Sequence, residues 1–246
     1  MSEVALPGPR RLDELLTWRG ATIASGWFVL LFVGAYLITP ASILPLVMDD
    51  LGTTEAVSAA LVSMPQVAAT VIGIPVGIYL DRVETRSVVP AAAAVLFAGS
   101  LGDWAAASGG EVTLLIGSRL FAGVGRFVLW VVCINVASST VPPDRRATAT
   151  SLIISGYPAG YALGQLSAPR VAAVVGWPGV FPVFGGAVLA LSVVFSVAVG
   201  QVSRFEPAPD PPHLAESKPA SPERRVWAGV VATMLGYAAV ALLYAR

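Results

Sequence analysis

Lysine is almost missing from this chain: Lys218 stands alone against fourteen arginines. Charge of either sign is scarce, at 12% of 246 residues, where soluble domains carry about 25%. The complement is a 56% hydrophobic composition. A water-soluble fold cannot hide that much apolar surface, because a large part of any folded domain faces solvent. These shortages exclude a soluble domain and leave an integral membrane protein. Formal net charge is zero, which gives nucleic acid nothing to bind. Cys133 is the single cysteine, so neither an intramolecular disulfide nor a cysteine metal cluster can form. His213 is the single histidine and lies in a Pro-rich stretch, so no Ser-His-Asp constellation is available. No metal site, cofactor motif or enzyme signature remains.

What the chain has in quantity is long apolar runs. A membrane helix needs about 20 such residues, and seven runs qualify: 21–44, 56–80, 88–107, 112–136, 147–168, 179–200 and 226–244. The first is too long for the apolar region of a cleaved signal peptide, about 7–15 residues. The segment 201–225 differs in kind, with six prolines and mixed charge. Such a composition cannot bury a core and reads as a linker. The expected organisation is a short N-terminal segment (1–20), a six-helix bundle (21–200), a cytoplasmic Pro-rich linker (201–225) and a seventh transmembrane helix (226–246). The expected fold class is all-α and polytopic.

Lysines and arginines in the loops set orientation. With the N-terminus in the cytoplasm, the inner segments hold eleven: Arg10, Arg11, Arg19, Arg82, Arg86, Arg145, Arg146, Arg204, Lys218, Arg224 and Arg225. The outer side holds two, Arg170 and Arg246. That imbalance predicts a cytoplasmic N-terminus in a cell membrane.

Polar residues inside the runs are the functional candidates. Arg119 and Arg126 are seven residues apart in the fourth span, which puts them on one helical face. A charge near mid-membrane costs about 3 kcal/mol even on insertion scales. Such a residue faces an aqueous cavity or a partner carboxylate. A solute or proton-coupled site and a structural ion pair both satisfy this, and Asp103 in the third span is a partner for Arg119. The second span carries Gly73, Pro75 and Gly77 and runs into Asp81-Arg82 and Arg86. Asp81 falls at a helix C-terminus, where the macrodipole disfavours an anion, so it needs a partner. The fifth span carries Gly156, Gly160 and Gly164 with Pro158 between them. That spacing predicts a small-residue face for close packing of another helix, with Pro158 permitting a bend.

Together these residues carry a resemblance. "GIYLDRVETR" resembles the major facilitator superfamily (MFS) signature G-x-x-x-D-R-x-G-R-[KR] between the second and third helices. "LIGSRLFAGVG" resembles that family's R-x-x-q-G-x-g stretch, and "VPPDRRATATSLIISGYPAGYALGQ" its loop into a glycine-rich fifth helix. "GWPGVFPVFG" resembles the start of its sixth. Glu84 and Thr85 depart from the first motif, Ala122 from the second, and Arg126 stands where a small residue is usual. The resemblance implies an N-terminal six-helix half plus a seventh helix of a secondary transporter. It implies that the first, second, fourth and fifth spans face a solute cavity or a second half. Arg126 would contact an anionic solute, with Arg119, Tyr36 and Gln66 as further cavity residues. Gly77, Asp81, Arg82 and Arg86 would be gating residues. In the family, the second and fifth helices pack on helices of the other half, so the faces bearing Gly73 and Gly156 would await a second half-transporter or another copy.

Two other classes are open to seven spans. A rhodopsin-like photoreceptor needs a Schiff-base lysine in the last helix, and "VWAGVVATMLGYAAVALLY" has none. A non-transporting membrane module that docks on a partner protein is the remaining alternative.

Overall fold

A computed structural model describes residues 9–80, 83 and 85–205. The order is α1 (Pro9–Ser42), α2 (Leu44–Leu51), α3 (Glu55–Leu80), α4 (Thr85–Ser108), α5 (Val112–Thr140), a 3-10 turn (Pro143–Arg145), α6 (Arg146–Val175) and α7 (Val180–Phe205). No strand occurs among the described residues. In hydrocarbon every backbone group must be satisfied internally, and a helix does this within one segment. The linker beyond Phe205, the seventh span, Asp81, Arg82 and Glu84 lie outside the described residues.

Six of these helices are the expected first six spans. Five of them are long and apolar enough to cross a membrane. The exception is α6, whose length suffices but whose glycines, serines, tyrosines and prolines lower its hydropathy. Helical structure continues past the end of the first run. It breaks at Ile43, where the short α2 begins with Pro45 in its first turn and closes on Gly52 at φ 56°. Only a residue without a Cβ takes that left-handed conformation cheaply. Trp177, just before α7, donates its indole N–H to the Asp50 carboxylate (2.8 Å), fastening α2 to the neighbouring turn.

Neighbour relations follow a pattern. α1 packs on α6 and α7, α5 packs on α3 and α4, and α4 packs on α7. Exchanging α1, α3 and α4 with α5, α6 and α7 leaves that list unchanged. The bundle is therefore two three-helix sets with α1 and α5 in equivalent central places.

Glycines set how closely the helices approach, as expected where lipid gives no hydrophobic drive between them. Gly156, Gly160 and Gly164 are buried, and this corrects the expectation that their face awaits a second chain. It packs on α1 of the same molecule. A Cβ on Gly156 would lie 2.5 Å from the Trp27 carbonyl oxygen, and one on Gly160 would overlap that of Leu31. Gly34 returns the contact from α1 against Tyr157 and Gly160. On the other seam the expected glycines are not the contact residues. A Cβ on Gly73 would meet only the Phe127 ring at 3.6 Å, and one on Gly77 would meet nothing within 4 Å. The close approach of α3 to α5 is made by Gly123, where a Cβ would lie 2.6 Å from Pro65 Cα. Gly125 does the same against Ala92 and Leu96 of α4.

Proline adds a second device. It has no N–H, so the carbonyl four residues earlier in its helix loses its donor. Pro90 in α4 frees the Arg86 carbonyl, and Ser196 Oγ of α7 donates to it at 3.0 Å. Pro65 frees the Leu61 carbonyl in the same way.

Gly160→Leu is expected to cost about 1–3 kcal/mol through overpacking, and Gly77→Leu to fall within about 0.5 kcal/mol of the parent. Thermal melts of both variants in detergent, followed by circular dichroism, test this. Equal losses in the two would refute the assignment of the tight seam to α1 and α6.

Candidate functional site

Two arginines of α5 lie inside the bundle, and their surroundings differ. Arg119 is fully buried and all its donor nitrogens are engaged. Nη1 pairs with Asp103 Oδ2 at 3.4 Å. Nε donates to the Leu61 carbonyl at 3.1 Å and Nη2 to the Leu37 carbonyl at 3.3 Å. The Leu61 oxygen is the one that Pro65 deprives of its helical donor. The guanidinium also sits over the Tyr36 ring at 4.8 Å and the Phe181 ring at 5.5 Å. Asp103 is equally buried; it accepts from the Tyr36 hydroxyl, and from Ser118 Oγ at 2.6 Å. Charge and hydrogen bonds close on themselves, joining α1, α3, α4, α5 and α7. Removing one partner of such a pair strands a buried charge.

Arg126 is also buried, at 5% exposure, but its partners are neutral. Nη1 donates to the Tyr157 hydroxyl at 2.9 Å. Nη2 donates to Gln66 Oε1 at 2.6 Å and to the Pro65 carbonyl at 3.3 Å. Nε is buried with no hydrogen-bond partner. No carboxylate pairs with this guanidinium among the described residues, whereas Arg119, two turns away, has one. Gly123 is what lets α3 come near enough for Pro65 and Gln66 to reach it. Tyr157 leads outward: its ring meets Trp130 edge-on at 4.6 Å and Tyr161 at 5.0 Å, and Tyr161 donates to its hydroxyl. Gln66, Trp130, Tyr157 and Tyr161 are half-buried, so the cluster reaches the bundle surface.

The candidates thus fall into two groups. Tyr36 joins Arg119 in the closed network, and Gln66 joins Arg126 in the open one. Arg86 is exposed, lying along α7 at Gly200, and Asp81 and Arg82 fall outside the described residues. The fifth-span glycines serve the α1 seam, although Tyr157, beside Pro158, is an Arg126 partner. Sequence reasoning did not find Tyr157, Ser118, Pro65 or Trp130. Tyr157 was within reach of it, because a tyrosine beside a proline in a small-residue helix is a polar group with backbone carbonyls near. An apolar crevice of about 310 Å³ also opens between α3, α4 and α5, lined by Val76, Leu80, Val88, Ala91, Val124 and Val128 among others. It shares none of the polar groups around Arg126.

Six long, largely apolar helices holding buried arginines define a polytopic α-helical membrane protein. The family model described as Major Facilitator Superfamily matches residues 26–245, and the chain belongs to that superfamily of membrane transporters. The match runs from α1 through the residues read as linker and seventh span. No curated protein matches the chain.

Asp103→Asn is expected to lower stability by about 3–5 kcal/mol, because Arg119 keeps its charge without a counter-charge. The double variant Asp103→Leu/Arg119→Met is expected to recover a good part of that. Unfolding in SDS, followed by tryptophan fluorescence, measures both. An Asp103→Asn protein as stable as the parent would show that the pair does not hold the bundle.

Proposed function

We propose that this chain takes part in secondary active transport of a small solute across the plasma membrane by alternating access, with Arg126 and Gln66 in contact with the solute. The carrying observation is the contrast between the two arginines. A buried charge in a membrane span is expensive, and the bundle balances Arg119 with a carboxylate while leaving Arg126 to neutral groups. An unbalanced buried cation with an unused donor is what a site for an anionic solute, or for a coupling carboxylate, presents before loading.

The gating assignment of Gly77, Asp81, Arg82 and Arg86 rests on their match to the family signature, and the cytoplasmic N-terminus rests on the arginine distribution. Arg119 and Tyr36 act behind the site, holding α5 in register with α1, α3 and α4. Alternating access rocks two bodies about a central site. The described bundle serves as one of them, and a second half-transporter or a second copy provides the other wall.

In proteoliposomes containing the complete transporting assembly, Arg126→Gln is expected to reduce solute uptake at least tenfold. Asp103→Glu, if folded, is expected to leave the apparent affinity for solute unchanged. Undiminished uptake by Arg126→Gln would remove Arg126 from the solute path. Absence of uptake for every solute, with the bundle still folded, would favour a docking module.

A further inference from the structure

We propose that the Arg126 site takes a monoanion with an apolar, planar body, of the aromatic carboxylate kind, and discriminates against dianions such as succinate and hydrogen phosphate. This rests on the reading of Arg126 as a solute contact and sharpens it.

Charge decides the first part. Arg119 is neutralised by Asp103, so it offers nothing further to a ligand. Arg126 is held by a phenol, an amide and a backbone carbonyl, so among the described residues the site carries one net positive charge. A single carboxylate cancels it. A dianion would bring a second negative charge into a low-dielectric interior without a partner, which is strongly unfavourable.

Hydrogen-bond geometry decides the second part. A guanidinium binds a carboxylate best as a fork, through two parallel N–H groups. The Arg126 Nε–H has no partner, and Nη1 has a second hydrogen beyond the one given to Tyr157. The edge that carries Nε–H is completed by Nη2, which already serves Gln66 and Pro65, so Nε–H is the open donor on that edge. The Tyr157 hydroxyl receives bonds from Arg126 and Tyr161, which leaves its own proton for an acceptor. The open Nε–H of Arg126 and the hydroxyl of Tyr157 provide one donor for each oxygen of a single carboxylate.

The body of the solute is set by what surrounds that acceptor position. Tyr157 begins an aromatic row with Trp130, at 4.6 Å and 69°, and Tyr161, at 5.0 Å and 48°. All three are half-buried, so part of each is open to a ligand. From residue 149 to residue 168 α6 carries no charged side chain. A second charged end on the solute would find no counter-charge there, while a ring gains edge or face contact, about 0.5–1.5 kcal/mol per aromatic pair beyond area burial.

Isothermal titration of the purified full chain in lipid nanodiscs tests this with five probes: benzoate, acetate, succinate, phosphate and benzamide. Benzoate is expected to bind at least tenfold more tightly than each of the other four. Arg126→Gln is expected to abolish benzoate binding, and Trp130→Ala to weaken benzoate and leave acetate unchanged. The ranking in the parent protein tests the proposal even if a variant fails to fold. Succinate or phosphate binding as tightly as benzoate, and lost in Arg126→Gln, would overturn the monoanion class and keep Arg126 as a solute contact. Acetate equal to benzoate would overturn the apolar body. No anion binding that depends on Arg126 would overturn both this inference and the function it rests on.

Discussion

The constraint on which the bundle depends is that Arg119, a permanent cation, sits where there is no water to solvate it. Every donor nitrogen must find an acceptor inside the protein, and the charge must find a carboxylate. The chain meets this with groups from several helices: Asp103 of α4, the Leu61 carbonyl of α3 and the Leu37 carbonyl of α1. Pro65 is part of the solution, because it makes the Leu61 oxygen available by withholding its own N–H. Tyr36 and Ser118 also donate to Asp103. Helix register across α1, α3, α4 and α5 is thereby fixed by chemistry that tolerates no slippage. Apolar contacts in lipid fix register less strictly, since lipid tails compete for the same surfaces.

Placed beside that closed network, Arg126 is unusual for what surrounds it. It shares a helix face with Arg119 and is nearly as deep, yet its partners are neutral and one of its donors is idle. A structural arginine in hydrocarbon would be expected to look like Arg119. The difference matches the separate roles proposed on one helix: Arg119 is locked in a closed network, and Arg126 is the proposed solute contact. Gly123 connects the roles, since the same close approach that brings Pro65 to α5 places Gln66 at the Arg126 guanidinium.

Glycine and proline, which weaken isolated helices, are here the means of assembly. Three α6 glycines let the α1 backbone sit against them, and α5 contributes the corresponding residues toward α3 and α4. Prolines free carbonyls that side chains of other helices then take, Arg119 at Leu61 and Ser196 at Arg86. The membrane makes both devices affordable to the fold, because the cost of an unmade backbone bond in lipid drives a neighbour to supply the donor.

Composition and run length by themselves determined the class: an all-α polytopic membrane protein, with a helix on each of the first six runs, although α1 already begins at Pro9. The family was legible as well, because its motifs are local strings with fixed spacing. So was the presence of two intramembrane arginines and of Asp103 as a partner for one of them. Which glycines make contacts was not legible. Gly73 and Gly156 have the same local pattern, and only the packing decided that Gly156 meets α1 while α3 meets Gly123 instead. The break at Ile43 falls at the expected end of the first run, and the short α2 that follows it was not legible there. The distinction between the two arginines was also beyond the sequence, since it depends on which carbonyls, hydroxyls and carboxylates of other helices come within about 3 Å, the reach of a hydrogen bond. Sequence fixes which groups must find partners in a membrane; the tertiary arrangement decides which of them do, and among the described residues the Arg126 Nε–H is one that stays open.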